Sequence, residues 1–292
     1  MAQELSNGNV FITGSSGGIG SAAIKKMAAS GYRVFAGVRN PDKIKKLTEN
    51  LAPAVVPVKI DITDPASVVA AARYVDETVK EKGLAGLINN AGYILQGPLE
   101  LLPIEEIKKQ FDVNVFGQVR TVQAFLPLIR KAKGRIINIG AVTGKTAMPF
   151  IGVLSASKQA MEALTDALRV ELRPWKIHVV VIEPAAMETS IFDKAQTSSK
   201  AVMQNISQEK KSLYEEALSL VDASMENHPL NPPKVVANAI HNALNAEHPR
   251  TRYAVGRGAG LVVTLGRFPD RLRDQLLIRA LGLNKLSTPG KE

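Results

Sequence analysis

Six short runs of β-branched and aliphatic residues punctuate the first 185 positions: 9–12, 33–38, 54–60, 84–88, 135–139 and 178–182. Each is apolar almost throughout instead of alternating, the pattern of a strand buried on both faces of a parallel sheet. Between them lie segments with helical spacing, near 18–30, 40–51, 64–82, 103–131 and 152–174. Asn40-Pro41 and Asp64-Pro65 begin two of these, a side-chain cap followed by proline in the first turn. A further helix at about 232–246 precedes a seventh strand, 251–255. Strand and helix in strict succession predict an α/β fold: a Rossmann-type, doubly wound sheet of seven mostly parallel strands with helices on both faces.

Residues 1–256 then form one dinucleotide-binding domain. Within it, 186–230 is polar and helix-prone, with Thr197-Ser198-Ser199-Lys200 as a mobile point, and is expected to cover a substrate site. Residues 257–292 read as a basic, amphipathic extension, expected to pack on the domain or on a partner subunit rather than to reach a membrane. The two longest helical segments, 103–131 and 152–174, exceed what one small core needs and predict a homo-oligomer.

Composition removes several function classes. With no cysteine there is no disulfide, no thiolate nucleophile and no thiolate-bound metal. The four histidines, His178, His228, His241 and His248, lack ligand spacing, so no metal site is expected. The net charge of +10 comes from lysines and arginines scattered along the chain, without interleaved aromatics. This argues for a basic surface that attracts a phosphorylated cofactor and against nucleic acid. Residues 1–8 are polar and no apolar run approaches the roughly 20 residues of a membrane span, so a cytoplasmic protein is expected.

The candidate chemistry begins at Thr13-Gly14-Ser15-Ser16-Gly17-Gly18-Ile19-Gly20, directly after the first strand and opening the first helix. Glycines permit the tight turn and close backbone approach to a pyrophosphate, and the free N–H groups of a helix start attract the anion. Gly14, Gly18, Ile19 and Gly20 are the expected cradle. The second strand ends in Val38-Arg39, with no carboxylate there to hold two ribose hydroxyls. Arg39 can fork onto a 2′-phosphate, with Ser15 adding a hydroxyl, so NADP(H) is the expected cofactor.

Asn89-Asn90-Ala91-Gly92, Asp112-Val113-Asn114-Val115-Phe116-Gly117, Asn138-Ile139-Gly140-Ala141-Val142-Thr143-Gly144, Leu154-Ser155-Ala156-Ser157-Lys158 and Glu183-Pro184-Ala185-Ala186-Met187-Glu188-Thr189 complete a pattern. With the glycine-x-x-x-glycine-x-glycine loop it resembles the short-chain dehydrogenase/reductase family over about residues 8–190, and more weakly to 256. The resemblance implies an oxidoreductase whose asparagine, serine, tyrosine and lysine act together on a carbonyl or alcohol. Asn114 and Lys158 match. The serine and tyrosine positions fall on Ala141 and Leu154, neither of which can exchange a proton. The resemblance further assigns Asp61 to the adenine amine, Asn89 to the adenosine ribose, Lys158 to the nicotinamide ribose, and Pro184, Met187 and Thr189 to the nicotinamide.

General acid/base catalysis is worth about 10²–10⁴ in rate and one oxyanion donor roughly 10²–10³, so carbonyl reduction on an apolar small molecule is expected to be severely impaired. Tyr93 and Tyr214 are the phenols that could substitute. Two other functions stay open: a redox-silent cyclase or isomerase keeping NADP(H) as a structural part, and a non-enzymatic NADP(H)-sensing protein.

Overall fold

The computed structural model describes residues 5–204, 206–226 and 230–286. Its elements follow in chain order: β1 (Asn9–Ile12), α1 (Gly18–Ala29), β2 (Arg33–Val38), α2 (Lys45–Asn50), β3 (Val55–Lys59), α3 (Pro65–Val79) and β4 (Gly86–Asn89). Then come α4 (Ile104–Phe111), α5 (Gly117–Ala132), β5 (Arg135–Ile139), α6 (Gly152–Glu171) and β6 (His178–Pro184). The chain continues through α7 (Ile191–Gln204), α8 (Gln208–Glu226), α9 (Lys234–Asn245), β7 (Arg252–Val255), α10 (Ala259–Leu265) and α11 (Asp270–Ala280).

The seven strands form one sheet in the order β3-β2-β1-β4-β5-β6-β7, and all six pairings are parallel. The expected Rossmann-type fold is therefore present, with every strand parallel. Chain order reverses between β1 and β4, which opens a crevice at the carboxyl ends of these strands, where ligands of such sheets bind.

Double-sided burial is visible within β1 itself. Val10 and Ile12 enter one core with Ile24, Met27 and Ile240 from α1 and α9, while Phe11 enters the other with Val75, Phe125 and Ile129 from α3 and α5. The rings of Phe11 and Phe125 lie 4.3 Å apart. Burying each such side chain contributes about 1.5–3 kcal/mol, so these contacts fix the strand ends that carry the crevice loops. The two expected caps are in place: Asn40 Oδ1 accepts from the Asp42 N–H, and Asp64 Oδ1 from the Ala66 N–H, both at 2.9 Å.

Two local expectations are corrected. The segment 103–131 is not one regular α-helix: α4 and α5 are joined by a single π turn, Asp112–Phe116, because the chain there must present Asn114 inward. The segment 40–51 divides into a 3₁₀ turn, Pro41–Ile44, and α2. Thr197 to Lys200 lies inside α7, where Ser199 Oγ accepts from the Gln96 N–H at 3.0 Å. Among the described residues no group of side chains could hold a metal ion, and no helix is long and apolar enough to cross a membrane. His228, residues 1–4 and residues 287–292 lie outside the described residues.

Candidate active site in the crevice between β1 and β4

The turn after β1 is built around missing side chains. Gly14 has φ +65°, and a Cβ there would stand 2.7 Å from the Ala91 backbone. A Cβ on Gly20 would run into the Gly14 carbonyl and lie 2.8 Å from Ser15 Cα. Gly17 caps α1 without a side chain, so the N–H groups of Gly18, Ile19 and Gly20 open the helix without capping partners, directed at the crevice. The loop is tied to its neighbour by Thr13, whose Oγ1 accepts from the Asn90 and Ala91 N–H groups, and by Asn90, whose Nδ2 donates to the Thr13 and Gly14 carbonyls. A tight turn with a bare backbone results at the start of α1.

Two expected contacts in this region are corrected. Ser15 is fully buried and its hydroxyl donates to the Ile12 carbonyl at 2.8 Å, because the tight turn points it inward; Ser16 is the exposed hydroxyl of the loop. Asn89 is also fully buried, with Nδ2 donating to Asn138 Oδ1, which leaves Asn89 for the interior and not for a ribose. It shares the strand face of Leu87, under α5 and α6, as period-two alternation requires. Asn90, one residue on, is the one that shapes the crevice.

Arg39 is exposed at the end of β2. Burial pushes the Asp61 carboxyl upward, but hydrogen bonds from the Thr63 hydroxyl and N–H, with the nearby Arg39 charge, outweigh it and hold the carboxyl below its ordinary value. A guanidinium and a carboxylate thus flank the crevice on the side of β2 and β3.

At the other end, Asn114 is fully buried in the π turn. Its Oδ1 accepts from the Tyr93 N–H at 2.8 Å, and its Nδ2 donates to the Tyr93 carbonyl and to Ser157 Oγ. Such turns frequently sit at functional sites, since they redirect one side chain without ending the helix. Asn114 therefore braces the loop after β4 against α6.

Lys158, on α6, is 7% exposed and its Nζ donates to the Ile139 carbonyl at 2.7 Å. Burial pulls its pKa down to about 8, against the opposing charge of Glu162 one turn further along the helix. One turn before it, Leu154 is buried in an apolar cluster with Ile94 and Ala195, flanked by Ile151 and Ile191. Ser155 and Ser157 are committed to the helix carbonyls of Ile151 and Leu154. Ala141 begins the turn after β5 in extended conformation.

The two candidate phenols each have contacts outside the crevice. Tyr93 packs against the cluster of Leu95, Leu102 and Val153. Tyr214 donates to Glu100 Oε2 at 2.6 Å on the exposed surface.

Pro184 ends β6, and the chain then passes over α1. Thr189 lies so close that a Cβ on Gly18 would be 2.6 Å from its methyl carbon. Met187 is buried and bridges to Asn231. The loop after β6 and the helix start after β1 thus converge.

Sequence reasoning missed a buried ionic cluster behind Lys158. Glu162 Oε2 is 2.8 Å from Lys145 Nζ and 3.0 Å from Arg252 Nε, and Arg252 reaches Asp166 at 2.6 Å. Glu183 lies 3.8 Å from Lys145 and 3.7 Å from Arg252. Burial first, then the neighbouring Glu162 carboxylate, pushes the Glu183 carboxyl up to about 7. One signal was present: Glu183 closes an otherwise apolar strand run, and a buried carboxylate needs partners.

Residues 8–200 match the short chain dehydrogenase family model. The chain is 37% identical over 256 residues to 3-amino-tetrahydro-pyrrolizinone reductase of Xenorhabdus hominickii, covering 86% of this chain and 87% of that protein. It is 34% identical over 277 residues to human retinol dehydrogenase 16, covering 92% and 87% respectively. A short chain dehydrogenase from Burkholderia cenocepacia J2315, solved in complex with NADP, superposes with a TM-score of 0.71 at 26% identity, over 95% of this chain and 98% of that one.

Proposed function

The chain belongs to the short-chain dehydrogenase family of oxidoreductases, and from that premise we propose that it binds NADP(H) beside an apolar substrate, with ordinary carbonyl reduction severely impaired. One observation carries the proposal: the side chain one helical turn before the buried Lys158 is Leu154, packed among Ile94, Ile151, Ile191 and Ala195. A carbonyl oxygen placed against this wall finds no donor, and an unmet buried acceptor costs about 1–3 kcal/mol.

The residues present fit a dinucleotide. Gly14 and Gly20 let the turn after β1 pack tightly on its own backbone and on the loop after β4, and the N–H groups of Gly18, Ile19 and Gly20 at the start of α1 would hold a pyrophosphate. Arg39 would pair with a 2′-phosphate, Asp61 would meet the adenine end, and Lys158 would hold the nicotinamide ribose. Pro184, Met187 and Thr189 would close over the nicotinamide. When bound, the nicotinamide supplies hydride chemistry.

The chain's own residues divide the remaining work. Lys158, mostly cationic at neutral pH, is fixed by the Ile139 carbonyl, and Asn114 keeps the Tyr93 backbone and α6 in register. The apolar cluster at Leu154 excludes water. A relative named for retinol supports a largely apolar substrate.

The test is steady-state NADPH consumption over a panel of apolar ketones, comparing this chain with the Ala141→Ser, Leu154→Tyr double variant. Slow turnover by the first and a large gain in the second is the expected result. Equal, robust turnover by both would refute the impairment.

A further inference from the structure

Within the basic extension, α11 stays at the surface. None of the residues of α11 is buried, and Leu261, Phe268, Leu272 and Leu276 are exposed, Leu261 by 76% and Leu272 by 45%. Leu272 and Leu276 lie one turn apart on the same face of α11, Phe268 stands just before that helix, and Leu261 is exposed on α10. The adjoining row is Arg271-Gln275-Arg279. Arg273 pairs with both acids of the helix, Asp270 and Asp274, at 3.0 and 3.2 Å. Arg257, Arg267, Arg271, Arg279 and Lys285 have no acidic partner among the described residues.

This extension is anchored at the mouth of the site. Thr146 Oγ1 donates to the Val262 carbonyl, and Gly266 lies against the Lys145 carbonyl, so α10 is held on the loop after β5. Beyond α11, Leu281 is buried and Ser224 of α8 donates to the Ala280 carbonyl at 3.2 Å.

We propose that α10 and α11 form a peripheral docking surface for an anionic lipid bilayer, the exposed Leu261, Phe268, Leu272 and Leu276 entering the headgroup boundary while the unpaired arginines meet lipid phosphates. Charge complementarity selects this occupant. Exposed leucines beside Arg271 and Arg279, with further cations without acidic partners on the same extension, match an apolar layer under an anionic one. A second copy seated on the same face would bring arginine onto arginine. The inference is independent of any turnover by the site, and its test is binding alone.

Full-length protein would be sedimented with vesicles of phosphatidylglycerol and phosphatidylcholine in equal parts, and with phosphatidylcholine alone. Binding to the anionic vesicles only, weakened by salt, is expected. Arg271→Ser with Arg279→Ser should lower partitioning by roughly fivefold per charge. Leu272→Ser with Leu276→Ser should lower it about tenfold or more while keeping every charge, and Lys45→Ser with Lys46→Ser, remote from the ridge, should have a smaller effect than either. All these side chains are exposed, so unchanged thermal unfolding is the check on folding. Absence of anionic-vesicle binding would overturn the proposal, as would binding indifferent to the leucine changes. Dimerisation dispersed by the leucine changes, without vesicle binding, would show that a second copy covers the ridge.

Discussion

Replacing Leu154 by tyrosine tests the chemistry at its missing atom. The phenol would stand one helical turn from Lys158, which at a pKa of about 8 is about nine-tenths cationic at pH 7. At a separation of about 6 Å and an effective dielectric of 20, that charge favours phenolate by ~3 kcal/mol, or about two pKa units. Burial among Ile94, Ile151, Ile191 and Ala195 opposes part of this. A phenol brought from about 10 toward 8 is a competent general acid near neutral pH, so turnover with an apolar ketone should rise by about 10²–10⁴. The larger ring should cost about 1–3 kcal/mol of stability through overpacking of the same cluster. Adding Ala141→Ser should raise turnover further, by less than its independent roughly 10²–10³, because the two groups serve one oxygen. The assay is initial-rate NADPH consumption, with kcat and KM separated and folding checked by thermal unfolding. A folded, NADPH-binding Leu154→Tyr protein with unchanged kcat would refute the reasoning. Robust turnover by the unmodified chain, abolished by Tyr93→Phe or Tyr214→Phe, would show that a displaced phenol does the work.

Arg39→Ala should weaken NADPH by about 10–100-fold, the worth of a charge-assisted contact, and leave NADH nearly unchanged by titration calorimetry; equal losses would reduce Arg39 to a surface charge. Glu183 has a folded pKa of about 7 against an ordinary 4.5, so its stabilising contribution is complete below about 4.5 and is lost as pH rises through about 7. Glu183→Gln should therefore flatten the fall in thermal unfolding temperature between about pH 5 and 8, whereas an unaltered slope would show that Glu162, Lys145 and Arg252 neutralise the carboxylate fully. Phe116, Leu164 and Val170 remain exposed around α5 and α6. A homo-oligomer built on this face should appear in light scattering at micromolar concentration and be dispersed by Leu164→Glu with Val170→Glu; a monomer before any substitution would end that expectation.

The sequence by itself determined the strand-helix succession, the parallel sheet and the glycine cradle, since each rests on local spacing. An unbroken apolar run can be buried only on both faces, and a glycine string between strand and helix leaves the backbone bare. It also placed Lys158 one turn from Leu154 and Ala141 at the turn after β5. Tertiary structure decided which neighbour of a pair faces the crevice. Asn89 and Asn90 are interchangeable by composition, yet packing of α5 and α6 buries the first and leaves the second to brace the phosphate loop. The same inward turn spends the Ser15 hydroxyl on Ile12. Arg252 meets Glu162 across 90 positions of sequence, a contact no local pattern announces. The extension's amphipathic spacing was legible early, but only its anchoring at Thr146 and Leu281 shows the leucine row facing outward. Periodicity fixes which side chains share a face; long-range packing alone fixes what that face meets.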